Sequence, residues 1–498
     1  MLHCVVPGRP GTFGNAVGLR TKGVDAIVED LAEFNYHDRS LLASIFADTP
    51  EEMAYVAGRL EPFADAAELN FSCRHSPGHG ATHGSQAHTP TSIGEFTRAV
   101  KSRFGKPVIP KFSPNDSNEE LKAKIRAAID AGADGISLIN TMGPEVFEID
   151  GHPALTSDVG GSLSGDGIRE RGFECTKIAR EEVGPDVPLI VTGGLSTAEH
   201  IRKSRALGAT LNGIGTALAG MSTSILAKYF TALDFDLENG TNTAEQYLVF
   251  NRSGHKKFRV KENYKYTDDL SMLVLDDGFE IEPGQFVFTW LPKDMYREGD
   301  GEKPYSLYDN DPATLVVQRR GKLSNVLANL RPGEELYLRG PCGNPVDLDI
   351  EKAILVGGGT GIASLRSIAR ALDERGVPTT SFLGAVDRDH ISFAEESYNS
   401  GDVRFATNDG SFGRHGNITA YLLDKIGTLN LEHGVFFNCG PSQMIRSAEI
   451  FEGRYVGSES MFSSEEQETS CGYGLCARCA REDGLRSCVD GYFMNPIC

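Results

Sequence analysis

No stretch of this chain approaches the roughly 20 consecutive apolar residues that cross a bilayer as a helix, so no membrane partner is expected. Positive charge is in short supply: 49 Lys and Arg against 69 Asp and Glu leave a formal net charge of −20. Phosphate backbones need a basic face, so no nucleic-acid partner is expected either. The opening residues, MLHCVVPGRPGTFG, lack a charged-then-apolar signal pattern, which makes the cytoplasm the expected compartment. Internal repeats and low-complexity tracts are absent. Cysteine is sparse over most of the length, with Cys4, Cys73, Cys175, Cys342 and Cys439 scattered, but Cys471, Cys476, Cys479, Cys488 and Cys498 crowd the end. A disulfide framework would spread its pairs through a small secreted domain. Crowding in a large acidic chain points instead to metal or cluster ligation.

What is there is the balance of a soluble globular protein, 40% hydrophobic and 24% charged over 498 residues. That length predicts about three domains. Up to residue 235, short apolar runs alternate with helical patterns. The runs are LLASIFAD, AELNFS, PVIPKFS, GISLINT, PLIVTGG and TLNGIGT, and NEELKAKIRAAIDAG closes on a glycine where a helix C-cap falls. Such alternation means a parallel sheet, open or closed into a (β/α)8 barrel. Six strands are visible where a barrel has eight. Residues 236–250 read as a linker. From 250 to 348 the runs FRVKENY, SMLVLDD, QFVFTWLP, ATLVVQR and EELYLRG are short and turn-bounded, as in an antiparallel β-barrel. Strand–helix alternation resumes over 349–454. Beyond 455 the chain is rich in glycine and cysteine and poor in apolar residues, and needs an inorganic core to fold.

The most specific motif is Cys471-x4-Cys476-x2-Cys479-x8-Cys488, the plant-type spacing for a [2Fe–2S] cluster. A zinc knuckle is the rival, but it favours paired C-x2-C spacings and only one occurs. The loop Gly357-Gly358-Gly359-Thr360-Gly361 lies between the strand AILV and the helix IASLRSIARAL, where a helix N-terminus attracts pyrophosphate. A plain helix-entry turn is its rival. Gly440-Pro441 ends a later strand, where a parallel sheet puts the other half of a nucleotide site. In the small β-barrel, Lys303-Pro304-Tyr305-Ser306 joins a stacking aromatic to a hydroxyl. Gly321 and Ser324 begin a helix whose amides suit a phosphate; either segment reads equally as an ordinary strand end.

Together these motifs resemble the class 1B, NAD-linked dihydroorotate dehydrogenases. Residues 250–498 resemble their electron-transfer subunit, of the ferredoxin–NADP reductase superfamily, through Pro-Tyr-Ser, GPCGNPVDL, GGGTG, NDGSFGRHGNIT, CGPSQM and the cysteines in the same order. Residues 12–235 resemble the catalytic subunit through NAVGL, ELNFSC, PVIPKFSPN, INT, TGGLS and GIGTAL. The resemblance implies both subunits fused in one polypeptide: an FMN barrel over 1–240, an FAD β-barrel over 250–348, an NAD-binding α/β domain over 349–454 and a [2Fe–2S] subdomain over 455–498. It implies oxidation of dihydroorotate, with Cys73 as catalytic base and Asn15, Asn70, His75, Asn140 and Thr141 contacting substrate. Planar amides suit the coplanar donors and acceptors of orotate. A thiol of pKa about 8.5 needs only modest tuning to act as a base. Lys111, Gly165, Gly193, Gly194, Gly215 and Thr216 would contact FMN, the residues of the β-barrel and nucleotide loops FAD and NAD, and a homodimer is implied.

Two residues depart from the family pattern. His75 stands where the family has a second asparagine, and Lys303 where it usually has arginine, keeping charge but losing the bidentate fork. The loop after His75 also carries His79, His83 and His88, whose glycine-broken spacing suits an active-site lid better than a metal site. The alternatives in function are a flavin and iron–sulfur oxidoreductase of another pyrimidine-like or enone substrate, or a non-catalytic electron carrier.

Overall fold

The computed structural model describes residues 5–7, 11–16, 23–33, 39–71, 89–155, 160–249, 254–292, 294–296, 301–395, 397–398, 401–464 and 467–497. Cys73, His75, His79, His83 and His88 lie outside the described residues.

The six apolar runs of the first half become six parallel strands of one sheet: Leu42–Ile45, Ala66–Asn70, Val108–Lys111, Ile136–Leu138, Leu189–Val191 and Leu211–Asn212. They pair in chain order, and among the described residues the sheet stays open. Helices connect them. The helix Asn118–Asp130 starts on a capping box of Ser117 and Glu120, and Gly132 follows its end at φ +93°. Apolar residues from both layers merge into one core that includes Leu69, Val108, Leu138 and Ile125.

A second sheet was not legible as strands. Val5–Pro7, Thr12–Asn15, Gly161–Gly165 and Met142–Glu145 form an antiparallel sheet from segments far apart in sequence. Its strand Met142–Glu145 follows the parallel strand Ile136–Leu138 in the chain. Residues 236–249, expected as a linker, are also folded. The helix Thr223–Asn239 runs on, and Asp236 accepts hydrogen bonds from the amides of Thr243 and Ala244 at 2.8 and 2.7 Å. Ala244 is buried against Tyr229 and Leu233, so the segment's few apolar residues are enough to dock it.

All five runs of the expected β-barrel are strands: Lys256–Lys265, Leu270–Leu275, Phe286–Leu291, Ala313–Gln318 and Glu335–Cys342. Gly301–Tyr305 and Asp309–Asn310 complete a seven-stranded antiparallel sheet. The next sheet has Lys352–Gly358 at its centre, flanked in parallel by Thr379–Ala385 and Gly434–Cys439. Met461–Ser464 pairs parallel to Gly434–Cys439, and Phe493–Met494 pairs antiparallel to Met461–Ser464. The cysteine loop is therefore an excursion between the last two strands of this sheet.

Candidate flavin and cluster sites

At the carboxyl ends of the parallel strands, Asn70 and Lys111 are paired neighbours in register. The Asn140 amide donates to Asn70 Oδ1 at 3.1 Å, and the Thr141 amide donates to Asn140 Oδ1 at 2.9 Å. Lys111 Nζ donates to Glu68 Oε1 at 3.3 Å. Glu68 is itself buried and also accepts from Ser44 Oγ at 2.9 Å and Ser137 Oγ at 2.7 Å. Sequence reasoning missed Glu68; its one signal is a carboxylate inside the apolar run AELN. Asn15 stands on the antiparallel sheet and donates to the Ser162 carbonyl at 3.0 Å.

The glycine turns meet. A Cβ on Gly194 would lie 2.6 Å from the Gly165 carbonyl oxygen, and one on Gly165 would lie 2.9 Å from Thr216 Cγ2 and 2.1 Å from the Gly11 carbonyl oxygen. Gly165, Gly193 and Gly194 all have positive φ, at +86°, +105° and +74°. A Cβ on Gly193 would press on Ile139, whereas at Gly215 it would meet nothing within 4 Å among the described residues. Close-packed backbone beside open space at a barrel's carboxyl end suits a phosphate.

A cavity of about 640 Å³ lies between the β-barrel and the nucleotide sheet. The β-barrel contributes Lys303, Pro304, Tyr305, Ser306 and Ser324, and the nucleotide sheet contributes Gly358, Gly359, Thr360, Gly440 and Pro441. Gly321 is not among its lining residues. Its amide, like that of Arg320, donates to Ser324 Oγ, at 3.0 and 2.9 Å, so it is not free for a phosphate. Arg320, Gln318 and Tyr492, unmarked in the sequence reading, do line the cavity. Gly359 sits at φ +55°, and a Cβ on Gly361 would come within 2.4 Å of the Cys439 carbonyl oxygen. Only glycine allows that close helix–strand approach.

The four cysteines lie together, and the loop's backbone is turned toward them. The Tyr473 amide donates to Cys471 Sγ at 3.3 Å and the Gly474 amide to Cys488 Sγ at 3.1 Å. Gly472 and Gly474, at φ +73° and +70°, permit this. Among the thiols, hydrogen bonds from Cys476 and Cys488 hold Cys471 down, and one from Cys488 holds Cys479 down; Cys476 and Cys488 are correspondingly pushed up. Among the described residues, no three His, Cys, Asp or Glu side chains form a ligand set for a single ion. A binuclear cluster asks only two thiolates of each iron, and amide donors to the sulfurs suit it, so the donor set fits.

The cysteine loop touches both neighbours. Toward the parallel-strand half, the Gly220 amide donates to the Tyr473 carbonyl at 2.8 Å, Arg486 Nη2 donates to the Met221 carbonyl at 3.0 Å, and the Phe13 and Tyr473 rings lie 4.9 Å apart. Toward the cavity, Phe286 packs with Cys479 and Cys488, and its ring lies 4.6 Å from that of Tyr492. Phe286 and Tyr492 both line the cavity.

Residues 6–233 match the family model described as dihydroorotate dehydrogenase. A relative from Thermoplasma volcanium, named a probable dihydroorotate dehydrogenase B (NAD(+)) electron transfer subunit, is 34% identical over 240 residues, covering 48% of this chain and 88% of that protein. The electron transfer subunit from Lysinibacillus sphaericus is 32% identical over 253 residues, 47% of this chain and 95% of that protein. The catalytic subunit from Pyrococcus abyssi is 35% identical over 204 residues, 41% of this chain and 66% of that protein. The chain belongs to the dihydroorotate dehydrogenase B family, and it matches relatives of both subunits. No helix among the described residues is long and apolar enough to cross a membrane.

Proposed function

We propose that this chain oxidises dihydroorotate to orotate and reduces NAD⁺, with both half-reactions in one polypeptide. FMN would bind at the carboxyl end of the parallel strands, FAD and NAD at the cavity between the β-barrel and nucleotide units, and a [2Fe–2S] cluster at Cys471, Cys476, Cys479 and Cys488. When bound, the two flavins supply hydride transfer at either end and the cluster supplies single-electron passage between them. The balance is one proton lost from C5 of the substrate and two electrons with a second proton from C6; the two electrons and one proton from solvent convert NAD⁺ to NADH.

The chain's own residues have separable tasks. Cys73 takes the C5 proton. Asn70, Asn140 and Thr141, with Asn15 and His75, hold the planar substrate, and the Asn140–Asn70 hydrogen bond fixes the orientation of one amide pair. Lys111 presents a cation held by Glu68. Gly165, Gly193, Gly194, Gly215 and Thr216 cradle the FMN phosphate, while Lys303–Ser306, Ser324, Gly358–Thr360 and Gly440–Pro441 hold the second flavin and NAD. A cytoplasmic homodimer belongs to the same reading, as does the division at 1–240, 250–348, 349–454 and 455–498.

One observation carries this: the cysteine loop contacts Gly220, four positions beyond the cradle residue Thr216, and through Phe286 also reaches the cavity wall. Flavin and iron analysis of the purified chain tests it. Equimolar FMN and FAD with iron and sulfide at a binuclear ratio are expected; FAD without FMN would mean a reductase that carries electrons but does not oxidise dihydroorotate. His75, in place of the family's asparagine, favours a second reading, a related pyrimidine-like or enone substrate at the same site.

A further inference from the structure

Arg339, on the strand Glu335–Cys342, is only 1% exposed. Its Nε and Nη2 donate to the two carboxylate oxygens of Glu302 at 2.9 and 2.6 Å, and Nη2 also donates to the Cys471 carbonyl at 3.2 Å. The guanidinium carbon lies 4.4 Å from the Phe288 ring centroid and 4.7 Å from that of Tyr473. A Cβ on Gly472 would stand 2.8 Å from Arg339 Nη1, so the loop glycine makes room for the cation.

A buried ion pair is a poor stabiliser, since desolvating two charges offsets their attraction and apolar residues often serve better. Its location suggests another role. Glu302 directly precedes the Lys303–Ser306 segment of the cavity, and Cys471 is the first of the four cysteines. His255 Nε2 lies 2.8 Å from Glu302 Oε1, but burial pushes that imidazole toward its neutral form. At the Cys471 carbonyl the charge therefore comes from Arg339 and Glu302, while Arg486, paired with Asp490, meets the same loop at the Gly474 carbonyl.

We propose that Arg339, with Glu302 as counter-ion, is a positioning residue for the four-cysteine site: it ties the Cys471 loop to the flavin-side strand and sets the field in which a [2Fe–2S] cluster is reduced. This rests on the cluster reading given above. Reduction by one electron adds one negative charge to the site. A cation held against the Cys471 carbonyl favours that reduced state and Glu302 opposes it, both more strongly for being buried. Removing either charge therefore moves the reduction potential in opposite directions. Arg339→Gln lowers it and Glu302→Gln raises it. Arg339→Lys keeps the charge without the bidentate fork and falls between wild type and Arg339→Gln.

The test is a redox titration of the full-length holoprotein and these variants, following the electron paramagnetic resonance signal of the reduced cluster. If wild-type protein gives no such signal, the cluster reading fails first and this inference falls with it. With the signal present, shifts of opposite sign in Arg339→Gln and Glu302→Gln are expected. Shifts of the same sign, or none, in protein that retains its cluster overturn the proposal, because a merely structural pair has no reason to split by charge. If Arg339→Gln cannot hold the cluster, Glu302→Gln carries the test alone: a raised potential supports the proposal, and an unchanged or lowered one overturns it.

Discussion

Glu68 shows what one residue can hide. Its carboxylate lies inside the strand Ala66–Asn70, with Lys111, Ser44 and Ser137 all donating to it. In the sequence it is a single carboxylate inside the run AELN, with nothing local to mark its partners. Parallel sheets bury both faces, and only their assembly places donors from three other strands around one side chain. Glu68→Ala would leave the Lys111 ammonium partly buried without this counter-ion. It is expected to cost about 3–5 kcal/mol in denaturant unfolding, well beyond an ordinary surface substitution. A loss below about 1 kcal/mol would show that Lys111 finds water or another carboxylate instead.

Elements were legible where their apolar period was clean. The six parallel strands and five of the β-barrel strands follow directly from runs of Val, Ile, Leu and Phe between turns. The antiparallel sheet holding Asn15 and Gly165 was not, since MGPE and GSLSG carry glycine and proline in place of alternation. Its register is held by pairing between segments such as Thr12–Asn15 and Gly161–Gly165, which no local pattern announces. Gly165 makes that sheet part of the proposed cradle. Gly165→Ala puts a methyl 2.1 Å from the Gly11 carbonyl oxygen at φ +86°, so the turn must shift. Loss of FMN with retention of FAD is the expected flavin analysis.

Between the β-barrel and the nucleotide sheet, His390 donates from Nδ1 to Asp387 Oδ1 at 2.8 Å and from Nε2 to Asp269 Oδ1 at 3.0 Å. Partial burial disfavours its charge, but hydrogen bonds to both carboxylates outweigh that and raise its pKa. Asp269, held down to about 2 by hydrogen bonds from Thr267 and Gln318 and by His390, stays ionised. A raised histidine stabilises the fold fully below its unfolded pKa of about 6.5, and that contribution is lost as pH rises through the higher folded value. Wild-type thermal stability should thus fall more between pH 6 and pH 8 than that of His390→Ala. Parallel pH profiles for the two proteins would assign the dependence to other groups.

At the scale of the molecule, a cysteine loop inserted between two strands of the nucleotide sheet reaches back to the parallel-strand half. Cysteine spacing made the four-cysteine site legible, but not its placement. That depends on contacts across long sequence separations: Tyr473 with Phe13 and Gly220, and Asp490 accepting from the Thr223 amide at 2.5 Å and hydroxyl at 3.0 Å. Such contacts join functions that the related proteins divide between subunits. Anaerobic titration of the purified protein with dihydroorotate tests most directly whether this continuity is an electron path from dihydroorotate to NAD⁺. Bleaching of both flavin and iron–sulfur absorbance, reversed by NAD⁺, is the predicted result. No bleaching by dihydroorotate, while NADH still reduces the protein, would contradict the account.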